Sequence, residues 1–206
     1  MKAGARSSAA AALFIVPALA GCILSPSPRS APTEPAAPRT LTRFTYYEEG
    51  KLVFFCVNVF PARLHREDDW IPLEIGIANR GLKSLTVNIK EGVRLRDAAG
   101  QEWPTASLAR TAHLRTRDRF DRQADPFVLR EVLQTRFAVY QFVAPNFGFQ
   151  DQGESFSRVV PLPLRSFTTG LILVENPRTR AVKAKFELWL DAPELEDPVF
   201  VPFVFD

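Results

Sequence analysis

Between Ile71 and Ala78, large apolar residues alternate with small or polar ones, with Ile71, Leu73, Ile75 and Ile77 set against Pro72, Glu74, Gly76 and Ala78. A period of two marks a half-buried strand, with one face in a core and the other toward solvent. After the turn residues Asn79-Arg80-Gly81 the pattern resumes, with Leu85, Val87 and Ile89 against Thr86, Asn88 and Lys90. Val93 and Leu95 continue it against Arg94 and Arg96, as far as a second turn at Asp97-Ala98-Ala99-Gly100. Near the C-terminus Val182, Ala184, Phe186, Leu188 and Leu190 face away from Lys183, Lys185, Glu187 and Trp189, while Val199 to Phe205 is apolar on both faces. Strands are also predicted over Phe44 to Tyr47, Lys51 to Phe60, Arg136 to Val143 and Thr169 to Glu175. About nine strands in one domain predict an all-β, two-sheet sandwich.

The stretch from Pro104 to Thr135 breaks this rhythm. Leu129, Leu133, Phe137 and Tyr140 fall at a helical spacing, which predicts a helix over Pro126 to Gln134 in competition with the strand at Arg136 to Val143. The same stretch is rich in arginine, so the sandwich is expected to carry a short helical, Arg-rich insertion between its two halves.

The first 40 residues follow different rules. Lys2 and Arg6 precede an apolar stretch from Ala9 to Ala20 that ends in small residues, the layout of an export signal over residues 1–21. No apolar run reaches the roughly 20 residues of a membrane-spanning helix. Leu19-Ala20-Gly21-Cys22, at the end of that layout, resembles the lipobox of bacterial lipoproteins. The resemblance implies a diacylglycerol thioether on Cys22, cleavage just before it, and a location in the bacterial cell envelope. Ile23 stands where an Asp would signal retention in the inner membrane, so the same resemblance implies the outer membrane. Residues 22–40, with five prolines among Ser, Ala and Thr, read as a tether that buries no core. Residues 41–206 are long enough for one well-buried domain.

A second resemblance lies within that domain. The run from Ile71 to Gly81, continued through Leu95-Arg96-Asp97-Ala98-Ala99-Gly100, is similar to the strand-turn-strand half of immunoglobulin-like sandwiches of bacterial surface lipoproteins. Thr169-Gly170-Leu171-Ile172-Leu173-Val174 and the stretch from Val182 to Leu190 resemble their later hairpin. These motifs are structural, and they imply no catalytic residue.

Charge and cysteine usage narrow the function. The chain has a formal charge of +3, and loss of Lys2 and Arg6 with the signal lowers it to +1, so there is no overall bias toward nucleic acid. With Cys22 acylated, Cys56 is left without a disulfide partner, in an apolar β-rich run where a thiol behaves as a small buried hydrophobe. His65 and His113 have no second His or Cys at metal-ligand spacing, and Arg63 to Asp69 reads as a solvated loop of mixed charge. Glu67, Asp68 and Asp69 lack the alternation and central glycine of a calcium loop. No Gly-x-Ser-x-Gly turn and no phosphate-cradling glycine loop occurs. Neither a catalytic residue, a metal site nor a cofactor is therefore assigned.

Two stretches carry binding chemistry. Arg115, Arg117, Arg119 and Arg122 concentrate guanidinium groups suited to bidentate contact with phosphate or carboxylate, although Asp118, Asp121 and Asp125 are interleaved with them. Phe147, Phe149 and Gln150 combine aromatic faces with an amide, a mixture that suits a glycan or an extended peptide. The expected function is a lipid-anchored, non-catalytic binding or interaction module. Its partners are the membrane, through the lipid on Cys22, and an envelope protein or anionic polymer. The alternatives are a periplasmic hydrolase or metal-dependent enzyme assembled from distant residues, and a structural envelope subunit with an exposed apolar patch around Trp189.

Overall fold

The computed structural model describes residues 37–105, 128–144, 159–177 and 184–205, and strands make up the larger part of the secondary structure among these residues. Six strands form the largest sheet. They are β1 (Arg39–Thr42), β2 (Thr45–Glu49), β3 (Val53–Asn58), β4 (Trp70–Asn79), β8 (Gln141–Phe142) and β10 (Ser166–Glu175), in the order β1-β2-β3-β4-β10-β8. A four-stranded sheet has the order β12-β11-β6-β7, from Val199–Phe205, Ala184–Leu190, Val93–Asp97 and Glu102–Trp103. β5 (Leu85–Asn88) and β9 (Val159–Leu162) form a third, two-stranded sheet. Short helices α1 (Phe60–Leu64) and α2 (Ile89–Gly92) lie between strands, and α3 (Leu129–Arg136) precedes β8.

Alternation and burial agree where the sheets meet. Leu73, Ile75 and Ile77 of β4, Val53, Phe55 and Val57 of β3, and Ile172 and Val174 of β10 share one core with Leu95 of β6, Phe186, Leu188 and Leu190 of β11, and Val201 and Phe203 of β12. Each fully buried side chain of this size contributes roughly 1.5–3 kcal/mol relative to exposure, so this shared core is the main stabilising feature. β4 and β10 pair over ten residues, from Trp70 opposite Glu175 to Asn79 opposite Ser166. Among the described residues β12 is an outer strand, paired only with β11, and Pro202 stands opposite Glu187.

Three sequence expectations need correction. First, the second row of β4 does not face solvent. Glu74, Gly76 and Ala78 are buried, as is every residue of β3, because α3 lies over this face. Leu129 and Leu133 of the helix pack on Phe54, Cys56, Ala78 and Phe167 in a second core, rimmed by Tyr47, Phe137, Tyr140 and Phe142. A Cβ on Gly76 would stand 2.7 Å from Cys56 Sγ and 2.8 Å from Leu133 Cδ1, so the helix seats this closely only over a glycine. Second, the strand expected over Arg136 to Val143 shrinks to Gln141–Phe142. The helix runs on through Arg136, and Phe137 and Tyr140 close successive turns with N–H bonds to Leu133 and Phe137 carbonyls, both 2.8 Å. The four-residue spacing of apolar groups thus describes the helix and its turn. Pro126, where that helix was expected to begin, lies outside the described residues. Third, α2 interrupts the alternation between Val87 and Val93, capped by Asn88, whose side chain accepts from the Lys90 and Glu91 N–H groups.

Candidate binding surfaces

The residues that the sequence singles out for binding, Cys22, Arg115, Arg117, Arg119, Arg122, Phe147, Phe149 and Gln150, lie outside the described residues. His113 lies there too. Arg130 of the same basic stretch is described: it is exposed on α3, with its guanidinium carbon 4.3 Å from the centroid of the Phe142 ring. His65 sits on the turn after α1, largely buried, with Nδ1 2.8 Å from Asp68 Oδ2. The loop from Arg63 to Asp69 is not simply solvated. Asn176, just past β10, donates its amide to the Arg66 and Asp68 carbonyls at 2.7 Å, and its backbone N–H to Asp69 at 2.9 Å. Among the described residues no group of three or more His, Cys, Asp or Glu is placed to hold a metal ion.

Glu74 is the most unusual polar residue that the fold creates. Only 3% exposed, it lies on β4 beneath the start of α3. Its Oε1 accepts the Leu129 N–H at 3.0 Å, and its Oε2 accepts the Val128 N–H at 3.1 Å and the Asn58 amide at 2.9 Å. Helix N-termini leave backbone donors without internal partners, and Val128, at the cap position, has no side-chain oxygen to offer. A carboxylate from another element does that work here, and its charge complements the positive end of the helix dipole. Beside it, burial first and the Glu74 carboxylate second push the Cys56 thiol well above its ordinary range. The Cys56 thiol meets the Gly76 carbonyl at 3.5 Å. This is structural chemistry, since an inert, neutral thiol and a fully engaged carboxylate hold the helix on the sheet.

The outer face of the four-stranded sheet is a different kind of surface. Trp189 of β11 stacks on Phe200 of β12, with centroids 4.8 Å apart and planes at 22°. The Arg96 guanidinium lies 4.3 Å from the centre of the Trp189 ring and is hydrogen-bonded by its Nε (2.9 Å) and Nη2 (2.6 Å) to Glu102. Arg94 reaches Asp191 at 3.4 Å, and Trp189 Nε1 donates to Glu187 at 2.9 Å. Cross-strand pairs such as Trp189 opposite Arg94 and Glu187 opposite Arg96 build this ladder. The apolar patch expected around Trp189 is therefore a half-buried stack of rings and paired charges. Such a face can stack on a flat ligand of mixed polarity. What sequence reasoning missed was β7, whose Glu102 closes the ladder through two residues too few to show a period.

No protein-family model and no curated protein matches this chain. Among solved structures, the crystal structure of the yjhA protein from Bacillus subtilis is similar to it at 13% identity, covering 70% of this chain and 76% of that one, with a TM-score of 0.35. A likeness of that size carries no argument about activity.

Proposed function

We propose that the protein is a lipid-anchored lipoprotein of the bacterial cell envelope, whose domain is an immunoglobulin-like sandwich acting as a non-catalytic binding module. The observation that carries the anchor is Leu19-Ala20-Gly21-Cys22 at the end of a charged and then apolar leader. Lipid on Cys22 would add two or more acyl chains, enough for stable attachment where a single chain is marginal. The core shared between the two larger sheets supports the sandwich reading. One feature departs from a wholly antiparallel sandwich: β8 pairs with β10 in parallel. Binding is supported by the ring and guanidinium ladder around Trp189, and by the guanidinium-rich sequence from Arg115 to Arg122.

The deciding experiment is metabolic labelling with palmitate. Label should enter the parent protein, and Cys22→Ser should lose it and leave the membrane fraction. Label still entering the Cys22→Ser protein would refute the anchor. For the binding role, Arg115, Arg117, Arg119 and Arg122 replaced together by Gln should weaken salt-sensitive co-sedimentation with isolated envelope, with thermal stability nearly unchanged. Co-sedimentation that ignores both salt and the four substitutions would remove this anionic contact from the proposal.

A further inference from the structure

Four connections meet at one end of the six-stranded sheet. They are the turn at 50–52 between β2 and β3, the segment 80–84 after β4, the turn at 163–165 before β10, and the turn at 137–140 between α3 and β8. Hydrogen bonds stitch them side by side. Arg80 and Gly81 N–H groups donate to the Leu52 carbonyl at 2.8 and 3.1 Å, and the Gln141 N–H donates to the Arg165 carbonyl at 2.9 Å. Asn79 Nδ2 donates to the carbonyls of Lys83, Leu162 and Pro163 at 2.8, 2.8 and 3.0 Å.

Each of these connections turns one large apolar side chain outward. Leu52, Leu82, Val139 and Leu164 are four of the seven exposed large hydrophobics among the described residues, with Leu82 84% and Val139 85% exposed. Side chains this exposed, on backbone this well tied, are not explained by the core. Single exposed hydrophobics are ordinary, but a cluster at one end of a domain marks a contact surface.

The surroundings say what kind of contact. Lys83 and Arg165 stand next to Leu82 and Leu164, are exposed, and have no acidic partner among the described residues. Of the neighbouring acids, Glu49 is engaged by Arg80 and Arg136 and Glu196 by Lys51, while Asp197 beside Glu196 is exposed. Strand direction adds a second observation. β1 begins at Arg39, opposite Tyr47 near the end of β2, so the chain enters the domain at this same end, 17 positions after Cys22 (39 − 22).

We infer that this end is a membrane-contact surface, in which Leu52, Leu82, Val139 and Leu164 enter the interfacial layer of the bilayer that carries the anchor. Lys83 and Arg165 lie among its anionic head groups. The inference rests on the lipid-anchor reading of Cys22. Seventeen residues reach at most about 60 Å when fully extended, so an anchored Cys22 permits the contact without forcing it. Tethering makes the encounter intramolecular, and an affinity too weak to hold a free domain is then sufficient. Long basic side chains beside apolar ones suit the interface because their stems pack with the apolar groups while their charges stay in the head-group layer.

The test uses the full-length acylated protein in vesicles of mixed zwitterionic and anionic phospholipid. Leu82→Cys is labelled with a polarity-sensitive fluorophore, and Glu67→Cys, on the connection entering β4 at the opposite end of the sheet, serves as the reference. Cys56 is buried and stays unlabelled. The label at 82 should shift to the blue and be quenched several-fold by acyl-chain quenchers, whereas the label at 67 should keep its spectrum in water. Replacing Leu52 and Leu164 by Ser should return the label at 82 toward water, with circular dichroism and the mass of the acylated protein unchanged. Intact mass reports the lipid on Cys22 separately from the spectra, so loss of the anchor and failure of the contact are distinct results. Acylated, membrane-bound protein with both labels in water would overturn the inference and leave the anchor standing. A blue shift at 82 that appears without vesicles, together with a doubled mass in solution, would overturn it in favour of a second copy of the chain covering this end.

Discussion

Strands β4 and β11 both send one row of side chains into the same core, Leu73, Ile75 and Ile77 from one, Phe186, Leu188 and Leu190 from the other. Their opposite rows have different fates. In β11 Lys185 is exposed while Glu187 and Trp189 are half-buried, and Glu187 sits opposite Arg96 in a ladder of paired charges. In β4 Glu74, Gly76 and Ala78 lie under α3, and Glu74 gives both carboxylate oxygens to donors in the interior. Two glutamates at equivalent points of an alternating pattern thus do opposite work. What separates them is a helix that begins 50 positions after the end of β4 (129 − 79). Alternation identifies the face that meets the main core, and a remote segment decides whether the other face meets water.

The contrast is broken most severely by Glu74→Lys. A cation there would face the positive end of α3 and strand the Val128 and Leu129 N–H groups and the Asn58 amide. Removing one partner from a buried charged network costs about 3–5 kcal/mol, a large part of a typical domain's stability. The expected result is loss of the cooperative urea transition, or a midpoint shifted far down. Gly76→Ala tests the seat of the helix. Its methyl would overlap Cys56 Sγ and Leu133 Cδ1, for a loss of about 1–3 kcal/mol in equilibrium unfolding. Adding Cys56→Ala should recover part of that loss, and the pair should be non-additive.

A smaller effect depends on pH. The folded state raises the Cys56 thiol, so the unfolded chain loses this proton first as pH rises. Stability from this site is therefore full below the unfolded pKa, about 8.5, and falls above it by about 1.4 kcal/mol for each further pH unit. The difference between the parent and Cys56→Ala in alkaline denaturation isolates this slope from other titrating groups. In the folded protein, thiol reagents should reach Cys56 only after denaturant is added. The smallest effect belongs to Glu187→Lys, which places like charges opposite each other at Arg96 on a half-exposed face. The cost should stay under about 1 kcal/mol in thermal unfolding. Equal losses from Glu74→Lys and Glu187→Lys would erase the distinction between the two strands.

Much of the β architecture was legible in the sequence. Apolar side chains at every second position placed β4, β5, β6 and β11 because burial on one face imposes that period. β12 was legible as a continuous apolar run. The hidden face of β4 left weaker marks. β3 reads Val-Phe-Phe-Cys-Val without alternation, the sign of a strand covered on both sides, and a neighbour covered on both sides was the available hint for β4. The row expected to face solvent was itself mostly Pro, Gly and Ala, residues whose small size suits an overlying helix. No local pattern could reveal that Glu74 caps α3, since the pairing joins residues 54 and 55 positions apart. The apolar end where four connections meet was illegible for the same reason. Leu52, Leu82, Val139 and Leu164 lie far apart in the sequence, in four separate connections, until the strand order brings them together. The guanidinium stretch and the Phe147 to Gln150 segment were read from composition alone, and both lie outside the described residues.

Pro202 has a consequence for how copies of the domain meet. Among the described residues β12 is seven residues of Val, Phe and Pro at the margin of its sheet, long and apolar enough to template a strand from a neighbouring molecule. Opposite Glu187 the proline can occupy only a non-hydrogen-bonded pair, with its nitrogen directed away from β11. It therefore removes a donor from the middle of the row that an incoming strand would use. A second copy crowded against this edge would find its hydrogen-bond row interrupted at the centre, so strand-to-strand growth of the sheet is disfavoured there.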